Sequence, residues 1–302
     1  MRWVLFAELL MYAVLGGLLV SRAGWTPLQA TGLALASFLG LRLFIVLLTF
    51  SLMLTDSSAV PERLRIGPFR AMGMVLEEYA GLILLFTVIQ PFEAFWLGPD
   101  RLAKPSGGRL PLLLIHGYQC NRGFWFWLRP RLEAAGWVVA THSMELAWTE
   151  IDNYAEGIER RIDQVLAATG ASQVILVGHS MGGLACRAYL RRHGRRKVAR
   201  LITLGSVHHG TRLARLGLGP NARQMQIGNP WLVALGATNA VHLPPGSASI
   251  FSYHDNYVFP QETGSTLEGA ANVAIGGVSH VWMAFSPAVL GKLLEALESP
   301  SP

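Results

Sequence analysis

The sequence is short of charge, short of cysteine and free of metal-binding spacings. Only 15% of its 302 residues are Asp, Glu, Lys or Arg, against roughly 25% in ordinary soluble domains. The deficit lies in residues 1–97, which are apolar with scattered charges, whereas 98–302 have a normal globular mixture. A chain soluble throughout is therefore excluded, and a membrane portion followed by a domain of about 200 residues, ample for its own core, is expected. Cys120 and Cys186 are the two cysteines, with no CxxC or Cys/His metal spacing, which excludes a disulfide scaffold and leaves the redox compartment open. There is no internal repeat or low-complexity tract. No nucleic-acid motif accompanies the net charge of +6. The basic run RRHGRRK at 191–197 reads as a solvated helix C-terminus, its cations offsetting the negative end of the helix dipole, with an anionic membrane surface as the alternative partner.

Three greasy segments fill the first hundred residues. Residues 4–20 are apolar apart from Glu8 and Tyr12, residues 28–54 carry Arg42 as their only charge, and residues 79–97 are interrupted by Gln90, Pro91 and Glu93. Crossing a bilayer takes about 20 helical residues, so two or three transmembrane helices are expected, a buried or interfacial helix being the alternative for the third. A cleaved signal peptide does not fit, because two more apolar segments follow the first. Glu8 and Arg42 are expected to pair or to snorkel. Arg63, Arg65 and Arg70 cluster between the second and third segments, while Arg101, Lys104 and Arg109 follow the third. The short loop weighs more in the positive-inside rule, which places that loop in the cytoplasm and the C-terminal domain on the non-cytoplasmic side.

Past the linker at 98–109, continuous apolar runs of buried-strand length recur at 110–117, 136–142, 173–178, 198–205, 248–253 and 272–277. Helical patterns alternate with them: 151–168, with Ile158, Ile162 and Val165 on one stripe, then 181–193 and 286–298. Unbroken apolar strands alternating with helices predict a mainly parallel sheet covered on both faces, an α/β domain over 110–302.

Within it, QVILVGHSMGG reads as strand, tight turn and helix. A serine at such a bend takes unfavourable backbone angles, so Gly178 and Gly182 give clearance while Ser180 projects its oxygen above the sheet edge. The helix beginning at Met181 turns its positive end toward any oxyanion formed there. A serine needs a base to become a nucleophile at neutral pH. Among nine histidines, His280 in GGVSHVWM follows the final strand and overhangs the same edge. His179 adjoins the serine and must point away from its oxygen, His116 closes the first strand, His193 ends a helix, and His208 and His209 read as loop hydrogen-bonders. Asp255 in FSYHDNYVFP follows the penultimate strand and is the acid expected to orient His280. Asp152 and Asp163 are explained by their own helix. Tyr118, just past the first strand, and Met181 are the expected oxyanion N–H donors, with Gln119 in reserve. The segment 211–246, carrying Leu213, Leu216, Met225, Trp231, Leu232 and Leu235, reads equally as a cap over an acyl pocket or as a core-packing excursion. FWFWL at 124–128 reads as an acyl-site lining or as core.

The blocks LLLIHGYQCN, VILVGHSMGGLACRAYL, LITLGSVHHGT, SYHDNYVFP and VSHVWMAFSP occur in order over about 110–290 and together resemble bacterial triacylglycerol lipases and esterases of the α/β-hydrolase superfamily. The resemblance implies carboxylic-ester hydrolysis by Ser180, Asp255 and His280 without a cofactor or metal. Its departures are GSVHHG, where such lipases often have proline, and the membrane segments, to which it does not extend. A membrane-anchored serine hydrolase acting on a lipid-like ester is therefore expected. An acyltransferase, thioesterase or phospholipase with the same triad, and a non-catalytic transport or scaffold protein, remain as alternatives. Membrane lipid is an expected partner and nucleic acid is not.

Overall fold

The computed structural model describes residues 2–299. Three helical stretches are long and apolar enough to cross a membrane: Arg2–Ala23, Pro27–Leu54 and Pro68–Leu97. The first two are α1 (Arg2–Ala23) and α2 (Pro27–Leu54), an antiparallel hairpin whose second member starts at a Thr26–Gln29 capping box. Glu8 of α1 and Arg42 of α2 form an ion pair across it. Outside Ala30, the buried residues of α2 gather in its last turns, at Val46, Thr49, Phe50 and Met53. The third stretch comprises α3 (Pro68–Ile83), a π-helical segment Leu84–Ile89, a 3-10 turn and α4 (Glu93–Leu97). It starts well before residue 79, where the apolar run begins. Glu77 and Glu78 break the hydrophobic pattern but not the helix, because Glu78 points inward and is bonded there.

The six apolar runs form β1 (Leu112–Ile115), β2 (Val139–His142), β3 (Val174–His179), β4 (Val198–Leu204), β5 (Ala248–Ser252) and β6 (Ala271–Ile275). They build one sheet of order β2-β1-β3-β4-β5-β6 in which every neighbouring pair is parallel. Successive side chains alternate between two cores. Leu113, Ile115 and Leu176 join residues of α6 (Ala155–Thr169) and α7 (Met181–His193) on one face. Leu112, Leu114, Ile175 and Val177 join those of α5 (Leu128–Ala134), of the C-terminal helix Pro287–Glu298, and Leu85 and Ile89 on the other. A sheet buried on both faces explains why its strands read as continuous apolar runs. Between β4 and β5 the segment 211–246 folds into a 3-10 turn and α8 (Gly219–Gln224), α9 (Pro230–Gly236) and α10 (Asn239–His242). Its Met225, Leu232 and Leu235 enter the core while Leu216, Leu218 and Val233 stay exposed. Then come α11 (Gln261–Ser265) and, after β6, α12 (Pro287–Glu298). Phe124 and Trp125 of FWFWL are core residues. Cys120 and Cys186 are both free thiols.

The third stretch lies along the α/β domain. Near its start Arg70 donates to the Gly277 carbonyl at 2.5 Å. In its middle Glu78 accepts from the 281–282 backbone, and near its end Gln90 accepts from Asn121 N at 2.8 Å. The loop before it is bound to the same domain: Ser58 N donates to Gln261 at 2.9 Å, Glu262 N donates to Ser58 at 3.0 Å, and Arg212 pairs with Asp56. The residues between the second and third apolar segments, which the charge count sets across the third segment from the domain, thus contact that domain. The 98–109 segment is clamped as well, through Asp100, whose side chain meets Arg129 at 3.0 Å and Arg161 at 2.5 Å.

Candidate active site

The topology brings the carboxyl ends of β1, β3, β5 and β6 to one edge, where open parallel sheets place their ligands. At the end of β3 the chain turns into α7 within one residue, and Ser180 takes φ 55° and ψ −125°. Only small neighbours allow this. A Cβ on Gly178 would come 2.7 Å from the Gly183 backbone, and one on Gly182 would come 2.4 Å from the Ile115 carbonyl oxygen. Strain of this kind persists only where surrounding contacts over-determine it, and it is a mark of functional turns.

Asp255 and His280, expected as partners, are hydrogen-bonded: His280 Nδ1 donates to Asp255 Oδ2 at 2.7 Å. Asp255 is fully buried, and its other oxygen accepts from the N–H groups of Tyr257 and Val258, each at 2.8 Å. Burial pulls the His280 imidazole down. The charge of Asp255, the hydrogen bond to it and the charge of Glu78 outweigh that pull and hold it above the usual 6.5. With Nδ1 committed to Asp255, Nε2 is the nitrogen left to act as a base. The Tyr257 ring stacks on His280 with centroids 4.9 Å apart. His179, the residue before the serine, lies 4.7 Å from the His280 ring and stacks on Phe124 at 4.0 Å. Ser180 thus follows directly on a residue in ring contact with His280. Among the described residues no hydrogen bond joins its hydroxyl to the imidazole; catalytic hydrogen bonds are often long until substrate tightens them.

The loop after β1 backs onto this serine, so closely that a Cβ on Gly117 would stand 2.9 Å from the Ser180 Cβ. His116 fixes the loop. Its Nε2 accepts from Met144 N at 2.8 Å, so the proton sits on Nδ1, which donates to the Gly117 carbonyl at 2.8 Å. Burial takes His116 down to about 4 and keeps it neutral. In a planar peptide the carbonyl and the following N–H point in opposite directions, so pinning the Gly117 oxygen also fixes the aim of the Tyr118 N–H. Met181 opens α7, where an N–H has no intrahelical acceptor. Gln119 has a positive φ of 55°. The Tyr118 hydroxyl, in turn, donates to Leu218 O at 2.7 Å and accepts from Leu218 N at 3.0 Å, tying the 211–246 segment to this loop.

The remaining candidates have structural partners. His208 is buried; Arg187 donates to its Nδ1 at 3.3 Å, and its Nε2 lies 2.9 Å from Thr203 Oγ1. His193 sits beside Glu156. Asp152 accepts from Arg191 and Trp231, and Asp163 from Lys197. Sequence reasoning missed three residues near His280. Asn256 accepts from His280 N at 3.1 Å and donates to Thr49 Oγ1 of α2 at 2.8 Å. Glu78, fully buried, accepts from Val281 N at 3.2 Å and Trp282 N at 3.0 Å. An acid beside a greasy run was the one available signal.

A family model described as alpha/beta hydrolase fold matches residues 111–226. A triacylglycerol lipase from Pseudarthrobacter phenanthrenivorans is 33% identical over 116 residues, 35% of this chain and 35% of that protein. One from Burkholderia plantarii is 33% identical over 116 residues, 35% of this chain and 32% of its own length. The chain thus spans about a third of the length of the curated relatives it matches. Among solved structures, the mature lipase BlEst2 of Bacillus licheniformis superposes with a TM-score of 0.57 at 17% identity, covering 66% of this chain and 96% of that one.

Proposed function

From the premise that this chain has the α/β-hydrolase fold and is lipase- and esterase-like, we propose that it is a membrane-anchored serine hydrolase of lipid-like carboxylic esters. The observation that carries the reading is the buried Asp255–His280 pair at the sheet edge that also presents Ser180 on its strained turn. In the mechanism this supports, Ser180 Oγ attacks the ester carbonyl as His280 Nε2 takes its proton. Asp255 holds the tautomer and stabilises the imidazolium. The N–H groups of Met181 and Tyr118 receive the oxyanion, each such donor contributing about 3–4 kcal/mol to the transition state. The imidazolium returns its proton to the leaving alcohol, and water, activated by the same base, releases the acid from the acyl-serine.

An apolar substrate fits the rim. Leu146, Trp148, Leu216 and Leu218 are exposed around the oxyanion loop to which Leu218 is tied. A panel of p-nitrophenyl esters and thioesters given to the purified full chain in detergent tests this. Ester turnover rising from acetyl to medium acyl chains supports the reading. Thioester turnover alone, or none with any acyl donor, contradicts it.

The anchor is the α1–α2 hairpin, whose surface is largely bare and apolar, while the third stretch docks on the domain with Phe69, Met72, Leu76, Phe92 and Phe95 facing outward to lipid. Arg2 lines a cavity together with Gln90 and Asn121, so the start of α1 stands on the domain side. Arg63, Arg65, Arg70, Arg101, Lys104 and Arg109 stand there too, leaving Arg22 at the far end of the hairpin. By the positive-inside rule this side is cytoplasmic. With cysteines placed singly at Glu62 and Gly24 in sealed cells, an impermeant maleimide is expected to label only the Gly24→Cys variant. Labelling of Glu62→Cys from outside would reverse the orientation.

A further inference from the structure

The two loops that carry Asp255 and His280 do not rest on the hydrolase domain alone. They lie on α2 and α3. Phe259, four residues beyond Asp255, packs in one cluster with Val46, Phe50 and Met53 of α2 and Met74 and Leu82 of α3. Gly81 of α3 makes close approach to the histidine turn possible, since a Cβ there would stand 3.2 Å from the Trp282 ring. At that contact Glu78 sends one oxygen to Val281 N and the other to Trp282 N, the two residues after His280. Both oxygens accept from N–H donors; full burial opposes a charge on this carboxyl, while the hydrogen bond with Ser279, the positive imidazole and the two backbone donors favour it. Thr49 of α2 holds the other side, through Asn256 to the backbone N–H of His280 itself.

We infer that the N-terminal helices are part of the catalytic apparatus, with Glu78 as a positioning residue that straps the His280 turn and places a second negative charge behind the imidazole. The inference rests on the serine-hydrolase reading above. Its physical content is twofold. Two backbone donors, of buried Val281 and half-buried Trp282, are satisfied by a side chain from a distant segment, and losing it leaves them without that partner and the turn free to shift. A small displacement of a catalytic base is costly in rate. The charge also favours the imidazolium formed when Ser180 attacks. The groups facing His280 are Asp255 and Tyr257 from the loop after β5, His179 from the end of β3 and Glu78 from α3. Glu78 and Asp255 are the acids among them, so neutralising Glu78 lowers the histidine pKa while leaving the Asp255 bond in place. α2 of the anchor and α3 docked on the domain thereby also set the geometry of the base, and the hydrolase domain without them holds a loosened histidine.

The test is the second-order rate of fluorophosphonate labelling across pH, on the full chain in detergent, for wild type, Ser180→Ala, Glu78→Gln, Glu78→Asp and Thr49→Val. Glu78→Gln is expected to label roughly tenfold or more slowly, with the acid limb of its profile moved down by about half a unit to one unit. Glu78→Asp keeps the charge but withdraws it, so its rate falls while its acid limb stays near wild type. Thr49→Val, which removes an uncharged hydroxyl that accepts from Asn256 and donates to Val46 O, slows labelling a few-fold with no movement of the limb. A purely structural role for Glu78 would slow labelling and leave the limb fixed in Glu78→Gln, and that result overturns the charge assignment. Wild-type rates and profile in both Glu78 variants overturn the inference entirely, and if Glu78→Gln does not fold, a wild-type rate in Glu78→Asp does so alone. Failure of wild type to label, with Ser180→Ala indistinguishable from it, overturns the underlying hydrolase reading instead.

Discussion

Ser180→Ala is expected to lower ester turnover by about 10⁴-fold or more while the melting temperature stays at the wild-type value. The two halves of this expectation have separate causes. In the proposed mechanism the hydroxyl forms the acyl bond, and among the described non-glycine residues with positive φ, Gln119, Leu146 and Ser180, the serine alone carries a nucleophile. The fold does not use that oxygen, since the contact of the turn with the oxyanion loop is made through the Ser180 Cβ facing Gly117, and alanine keeps that carbon. The unfavourable φ of 55° is likewise the same for both residues. Turnover of a medium-chain ester, measured beside a thermal melt, checks both halves. Residual activity within tenfold of wild type would move the nucleophile elsewhere.

Asp255→Asn carries the second large effect, a fall of roughly 10³- to 10⁴-fold in kcat. Oδ1 of Asp255 is fixed by the N–H groups of Tyr257 and Val258, so an asparagine keeps its oxygen there and turns its NH₂ toward His280. That group donates where the carboxylate accepted. Nδ1 of the imidazole must then become the acceptor, which puts the ring proton on Nε2, the atom that has to receive the proton of Ser180. The base is present but in the wrong tautomer. The loop geometry survives because two of its three hydrogen bonds survive, so KM for the ester changes little. A kcat close to wild type would show that the Asp255–His280 bond is not part of the reaction.

Much of this arrangement is legible in the sequence, for a physical reason. A parallel sheet buried on both faces needs unbroken apolar strands, so β1 to β6 stand out as runs, and the residues just past them belong to one edge. Ser180, Asp255 and His280 each follow such a run, and the helix read at 181–193 is α7. The glycines of the serine turn are equally plain, because the clearance they give is local. What could not be read is whatever depends on segments far apart in the chain. Glu78 looks like an acid spoiling a hydrophobic pattern; its partners are backbone groups near residue 281, which leave no mark in composition or period. Thr49 looks like any threonine in a greasy helix, and its bond to Asn256 is made in the folded molecule only. The aromatics of FWFWL allow two readings until the sheet exists to bury Phe124 and Trp125. The orientation suffered in the same way. Charge counting set the residues between 54 and 79 and the C-terminal domain on opposite sides of the third segment, whereas Ser58 and Arg70 bond that domain in the fold.

The segment 211–246, read equally as a cap or as a core-packing excursion, packs in part on the core. Its buried leucines join the main core, and its exposed ones border the oxyanion loop through Tyr118.

The most direct test of the whole account is the location of the covalent adduct formed by a fluorophosphonate on the folded full chain. One adduct per chain, on the peptide containing Ser180 and lost in Ser180→Ala, is the expected result. An adduct on any other residue, or none on protein that turns over esters, would contradict it.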